Sequence, residues 1–190
     1  DWRPENYSGR YLGEMTLRRA LALSKNIPAV RLAERLGPSD LVQFAHKMGI
    51  QTPLSPNLSL ALGTAGTHLL ELTAAMSVFP QGGNHIAPFG VAEILDRGGE
   101  VLWRARPAVR PVLTAVQAAI MVDMLQGVVQ EGTGKRARQL NMPVAGKTGT
   151  TNDFKDALFV GFSPAAACGV WVGMDDASPL GDKETGARAA

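Results

Sequence analysis

The chain has 190 residues, enough for one domain with a real core, and its 45% apolar and 19% charged residues are ordinary globular usage, which excludes disorder as a description of the whole. With 19 Lys+Arg against 17 Asp+Glu, the net charge of +2 is too small for a nucleic-acid footprint or for electrostatic membrane binding. One cysteine, Cys168, rules out an internal disulfide, and no apolar run approaches the roughly 18 residues of a membrane span.

Residues 1–15 read as a loop, with turn chemistry at Arg3-Pro4-Glu5-Asn6-Tyr7-Ser8-Gly9. Thr16 is placed to N-cap a helix whose Leu17, Ala20, Leu21 and Ser24 share one face. Asn26 is placed to cap a second helix, with Pro28 in its first turn and Ala29, Leu32, Ala33 and Leu36 as its apolar stripe. Gly37-Pro38 stops it. Ser39-Asp40 starts a third helix, carrying Leu41, Phe44, Ala45 and Met48 and ended by Gly49. Residues 51–66, rich in Pro, Ser and Gly, form a long connection. A helix capped by Thr67 runs to about Phe79, and Gln81-Gly82-Gly83-Asn84 turns the chain. Val91 to Arg104 reads as a hairpin around Asp96-Arg97-Gly98-Gly99. Thr114 caps a long helix to about Gln130, with Val116, Ala119, Ile120 and Met124 inward, closed by Glu131-Gly132-Thr133-Gly134. Three strands follow: Val144 to Thr151, Ala157 to Phe162, and Ala167 through Trp171 to Met174. A helical half followed by a meander of strands predicts an α+β fold with an antiparallel sheet, not alternating βαβ units.

The first of these strands is the chemical one. Val144-Ala145-Gly146-Lys147-Thr148-Gly149-Thr150-Thr151 sets one lysine, three glycines or alanines and three hydroxyls in a row, a density that suits the wall of a cleft better than a core. Its lysine and threonines are suited to an anionic group. Gly146-Lys147-Thr148 also ends a phosphate-loop pattern, but the first glycine of that pattern falls on Asn141, Pro143 removes a backbone donor, and no helix follows. Ser-x-Asn occurs twice. Ser55-Pro56-Asn57 lies in a proline-flanked loop and reads as ordinary turn chemistry. Ser24-Lys25-Asn26 lies at a break between two buried-face helices, a rigid place from which a hydroxyl and an amide can point into a cleft. His46, His68 and His85 have no metal-like spacing to one another or to Cys168, and read as solvated or capping. Cys168 sits among apolar residues and reads as packing. The basic cluster Lys135, Arg136 and Arg138 reads as a solvated loop.

Together the two motifs resemble the transpeptidase domain of bifunctional, class A penicillin-binding proteins, and the resemblance covers nearly the whole chain. Leu17-Arg18-Arg19-Ala20-Leu21 leading into Ser24-Lys25-Asn26-Ile27-Pro28-Ala29-Val30 is similar to that family's second-motif helix. The run Gly146-Lys147-Thr148-Gly149-Thr150-Thr151-Asn152-Asp153, followed by Asp156-Ala157-Leu158-Phe159-Val160-Gly161-Phe162, is similar to its third-motif strand and the strand after it. The resemblance implies a β-lactamase/transpeptidase-like domain, an antiparallel sheet flanked by helices with a helical subdomain. Residues 1–190 would be an incomplete copy of it, the helical part about 14–130 and the sheet part about 143–176.

The resemblance further implies D,D-transpeptidation: a serine attacks the D-Ala-D-Ala amide of a peptidoglycan stem peptide, and the acyl group passes to an amine of a neighbouring strand. β-Lactams would be the inhibitors. Ser24, Asn26 and Lys147 would be catalytic, with Thr148, Gly149 and Thr150 binding the substrate. No cofactor, metal or nucleic acid is implied. The expected location is the extracytoplasmic face of a bacterial inner membrane, held by an N-terminal anchor outside these residues. A β-lactamase or D,D-carboxypeptidase of the same superfamily, and a non-catalytic β-lactam-sensing domain, are the alternatives. The family's nucleophile comes from Ser-x-x-Lys, and none of Ser8, Ser24, Ser39, Ser55, Ser59, Ser77, Ser163 and Ser178 has a lysine three residues on. The chain, which starts at Asp1, therefore reads as a piece of something longer, without the nucleophile and inactive alone.

Overall fold

The structure is a computed structural model and describes residues 2–6, 9, 11–151, 153–181, 184–188 and 190. Tyr7 and Ser8 of the first turn, and Asn152 after the Lys147 strand, lie outside the described residues. The helices are α1 (Leu17–Ala22), α2 (Asn26–Leu36), α3 (Pro38–Lys47), α4 (Leu69–Ser77) and α5 (Ala115–Gln130). The strands are β1 (Asn84–Ile86), β2 (Glu93–Leu95), β3 (Val101–Arg104), β4 (Val109–Pro111), β5 (Ala145–Thr150), β6 (Asp156–Phe162) and β7 (Ala167–Gly173). Short 3₁₀ turns cover Leu58–Leu62 and Lys135–Leu140. The expected α+β class with an antiparallel sheet is what forms. β5, β6 and β7 pair in sequence order, with Ala145 opposite Phe162, Thr150 opposite Ala157, and Asp156 opposite Gly173. The β2–β3 hairpin matches the sequence reading. The β1–β4 pair does not appear in it, because its three-residue strands lie far apart along the chain.

Local chemistry explains the helix ends that the sequence places correctly. Thr16 accepts from the Arg19 N–H at 3.2 Å. Thr114 accepts from the Gln117 N–H at 3.2 Å while Gln117 Oε1 accepts from the Thr114 N–H at 2.9 Å, a reciprocal capping box. Three starts are corrected. α2 begins at Asn26 with Lys25 as its N-cap, so Asn26 is inside the helix. The donor-satisfying group is instead Asn6, whose buried Oδ1 accepts from the Asn26 and Ile27 N–H groups at 3.1 and 3.4 Å. α3 begins at Pro38 after Gly37, because proline suits a first helical position where its missing N–H costs nothing. α4 begins after His68, not Thr67, and ends at Ser77.

Among the described residues, two hydrophobic clusters hold the fold. One joins Met48, Ile50, Ala75, Val78 and Val112. The other joins Leu125 and Val128 of α5 to Ala145 and Phe162 of the sheet. Phe79 packs against both, its ring 6.5 Å from that of Phe162. Each fully buried valine, such as Val128, contributes about 1.5–3 kcal/mol relative to exposure. The inward face of α5 is Ala118, Leu125, Val128 and Val129, while the expected Val116 and Ile120 are exposed. A helix apolar on most sides carries little periodicity, so its rotation is set by what it packs on. The same holds for Leu17, Leu32 and Leu36, which are exposed, whereas Ala20, Val30 and Ala33 are buried. Ala145, Val160, Phe162 and Gly169 share the sheet face that meets α4 and α5. Cys168 points from the other face and is exposed rather than packed. His85 is also corrected: it is buried, and burial with the nearby Arg110 pushes its pKa down.

Candidate active site

The break between α1 and α2 is a Schellman closure. Ser24 N–H donates to Leu21 O at 3.1 Å and Lys25 N–H to Ala20 O at 2.9 Å, the paired bonds that terminate a helix when the residue after its cap turns left-handed. That residue is usually glycine. Here it is Ser24, at φ 51°. A non-glycine residue in this region costs about 1–2 kcal/mol. Two residues on, Asn26 Nδ2 donates to Glu5 O at 2.7 Å, which leaves its second amide hydrogen for another acceptor.

Lys147 arrives from β5. It lies opposite Val160 in the ladder, on the face shared with Ala145, and so projects toward the helical half. Its ammonium donates to Ser24 Oγ at 2.7 Å across 123 residues of sequence, and to Thr148 O at 2.9 Å. Among the described residues no carboxylate pairs with it. Burial pushes its pKa down to about 8. The residue as a whole keeps some surface, but the enclosed ammonium governs the titration. An unpaired, half-buried cation aimed at a strained hydroxyl is a place where an entering anion would be stabilised.

β5 is the edge of its sheet, paired with β6 alone among the described residues. Thr151 N–H donates to Asp156 O at 3.2 Å, which fixes the ladder phase: residues 147 and 149 bond to β6, and residues 148 and 150 turn their N–H and C=O groups to the open edge. The two hydroxyls on this edge have partners that the sequence reading missed. Thr148 Oγ1 lies 2.7 Å from Thr133 Oγ1. Thr150 Oγ1 accepts from the Gly186 N–H at 3.0 Å. Gly186 lies flat across β5 and β6, where a Cβ would overlap Gly149 O and Leu158 O. A side chain on Gly149 would meet Leu158 at 3.3 Å, so this glycine makes room within the sheet as well as along the strand. Thr133 had only the Gly132-Thr133-Gly134 setting as a signal, and Gly186 had none.

The expected residues are thus partly assembled. Ser24 and Lys147 touch, Thr148 and Thr150 follow on the same strand, and Asn26 stands one residue past the break. A cavity of about 510 Å³ lies elsewhere: Phe79, Val122, Asp123, Pro143 and Phe162 line it, with none of the six expected site residues. Of the decoys, Asn57 caps the 3₁₀ turn by accepting from the Leu60 N–H at 3.1 Å, and His46 Nδ1 lies 2.7 Å from Ile50 O. Arg136 donates to Arg188 O at 2.8 Å.

Comparison with known proteins puts this arrangement in company. The profile described as the penicillin binding protein transpeptidase domain matches residues 1–189. Penicillin-binding protein 1A of Aquifex aeolicus is 46% identical over 190 residues, all of this chain and 26% of that protein. Penicillin-binding protein 1A of Neisseria gonorrhoeae is 38% identical over 187 residues, 95% of this chain and 23% of that protein. The chain therefore spans about a quarter of the length of these relatives. The crystal structure of penicillin-binding protein 1A from Haemophilus influenzae superposes with a TM-score of 0.91 at 29% identity, over 98% of this chain and 34% of that one.

Proposed function

The chain belongs to the penicillin-binding protein transpeptidase domain family, and from that membership we propose that it supplies the proton-relay and substrate-binding wall of a peptidoglycan D,D-transpeptidase. The observation that carries the reading is the 2.7 Å bond from Lys147 Nζ to Ser24 Oγ, which joins the two motifs into one unit.

The reaction is acyl transfer through a serine that this chain does not carry in the family's Ser-x-x-Lys form. That serine gives its proton to the base of the same motif as its oxygen bonds to the carbonyl carbon of the D-Ala-D-Ala amide, and the C–N bond breaks. Ser24 is placed to pass a proton to the departing nitrogen, since a hydroxyl that accepts from Lys147 still has its own hydrogen to give. Lys147, charged in most molecules at neutral pH, supports that transfer and attracts the terminal carboxylate. The Thr148 and Thr150 hydroxyls bond the carboxylate. The Thr150 N–H, on the open edge of β5, serves as one oxyanion donor. Asn26 holds the substrate amide. The acyl group then moves to the amine of a neighbouring stem peptide, and the serine recovers its proton. β-Lactams acylate the same serine.

The relatives extend well beyond the aligned part. We place the nucleophile, a membrane anchor and a glycosyltransferase domain in the corresponding remainder of the parent protein, on the extracytoplasmic face of a bacterial inner membrane. No helix among the described residues is long and apolar enough to cross a membrane. The test is labelling with a fluorescent penicillin. The intact parent protein labels covalently and residues 1–190 alone do not. An unlabelled parent contradicts the transpeptidase reading, and a labelled fragment contradicts the missing nucleophile.

A further inference from the structure

Thr133 stands where the two halves of the site meet. It follows the Glu131 cap of α5, in a turn held from both sides. Its N–H donates to Ala22 O at 3.1 Å, at the end of α1 and two residues before Ser24. Gly134 N–H donates back to Val128 O at 3.0 Å. Gly132 passes so near that a Cβ there would overlap Ala22 O. The backbone that carries Thr133 is therefore set by both α1 and α5. Its β-branched side chain has few rotamers, and its hydroxyl reaches β5 at Thr148 Oγ1, 2.7 Å away and partly buried.

A pair of hydroxyls can bond in either sense. A carboxylate resolves the choice, because it only accepts. Once a ligand's carboxylate takes the Thr148 hydrogen, the Thr148 oxygen is left to accept, and Thr133 is the hydroxyl in place to donate. The chain then runs Thr133 to Thr148 to carboxylate, each bond polarising the next. We propose that Thr133 is a positioning residue: it holds the Thr148 hydroxyl as a donor toward the carboxylate of the stem peptide or β-lactam. The proposal rests on reading β5 as the carboxylate wall.

The experiment uses the intact parent enzyme and measures second-order acylation rates by benzylpenicillin and by its methyl ester, which lacks the negative carboxylate. Thr133→Val is expected to slow benzylpenicillin about tenfold, the upper end for losing one bond between neutral groups, and the ester by less than about twofold. Thr133→Ser, which keeps the hydroxyl, restores the benzylpenicillin rate to within about threefold. On a Thr148→Val background, Thr133→Val adds no further loss. Equal losses for acid and ester, an unchanged benzylpenicillin rate in Thr133→Val, no rescue by Thr133→Ser, or a full additional loss on the Thr148→Val background would each overturn the positioning role. A parent enzyme that benzylpenicillin does not acylate fails earlier, at the transpeptidase reading itself.

Discussion

The chain carries the same short pattern twice, and folding gives the two copies different work. Ser55-Pro56-Asn57 is exposed, and its Asn57 oxygen accepts from Leu60 N–H and Ser59 Oγ, all within a local turn. Ser24-Lys25-Asn26 sits at a Schellman closure, with its serine in a left-handed conformation and a half-buried lysine from the distant sheet bonded to that serine. What distinguishes a site from a turn is thus a serine held in a left-handed position that a helix end normally gives to glycine, together with a partner brought from far along the chain. The triplet itself distinguishes nothing.

The largest expected effect sharpens this contrast in activity. In the intact enzyme, Ser24→Ala is expected to lower the rate of acylation by a fluorescent penicillin about 100-fold or more, as removal of a proton-transfer group does. Ser55→Ala leaves the rate within about twofold, the range of ordinary surface substitutions. Comparable losses at both serines would erase the distinction.

The next effect concerns Lys147, for which the second triplet has no counterpart. Its amine keeps a proton in the unfolded chain up to about pH 10.5, while burial releases that proton near pH 8 in the fold. The penalty for burying the charge is therefore fully present below about pH 8 and is relieved as pH rises toward 10.5. Against Lys147→Met, the parent should gain up to about 3 kcal/mol over that window in denaturant unfolding. A gap that stays constant with pH would mean that the ammonium is solvated.

Smaller effects test the strain at Ser24. Glycine adopts the left-handed region without steric cost, so Ser24→Gly should be about 1 kcal/mol more stable than Ser24→Ala, although both lose the hydroxyl. Ser55→Gly should show no such advantage over Ser55→Ala. Smallest of all, Asn57→Ala should cost about 0.5 kcal/mol, the low end for losing a cap in an exposed turn. Thermal or urea unfolding of the variants reads both differences.

What the sequence disclosed divides along the same line. The Thr16 and Thr114 caps, the β2–β3 hairpin and the three sheet strands rest on neighbours a few residues apart, and they read correctly. Lys147 and Ser24 were legible as a pair only because their two motifs together resemble a family. The partners without a motif stayed hidden. Asn6 caps α2 from a loop 20 residues upstream, Thr133 reaches Thr148 over 15 residues, and Gly186 reaches Thr150 over 36. No periodicity encodes such contacts. The rotation of α5 was misread for a related reason: apolar residues on most of its sides leave the packing partners to choose its buried face.

The central claim is that Ser24 and Lys147 act as one unit. A double-mutant cycle on the acylation rate of the intact enzyme tests it most directly, with Ser24→Ala, Lys147→Met and the two combined. The expected result is that the double variant is no slower than the slower single variant, because either change already breaks the unit. If the two losses multiply, the 2.7 Å bond between them carries no shared function.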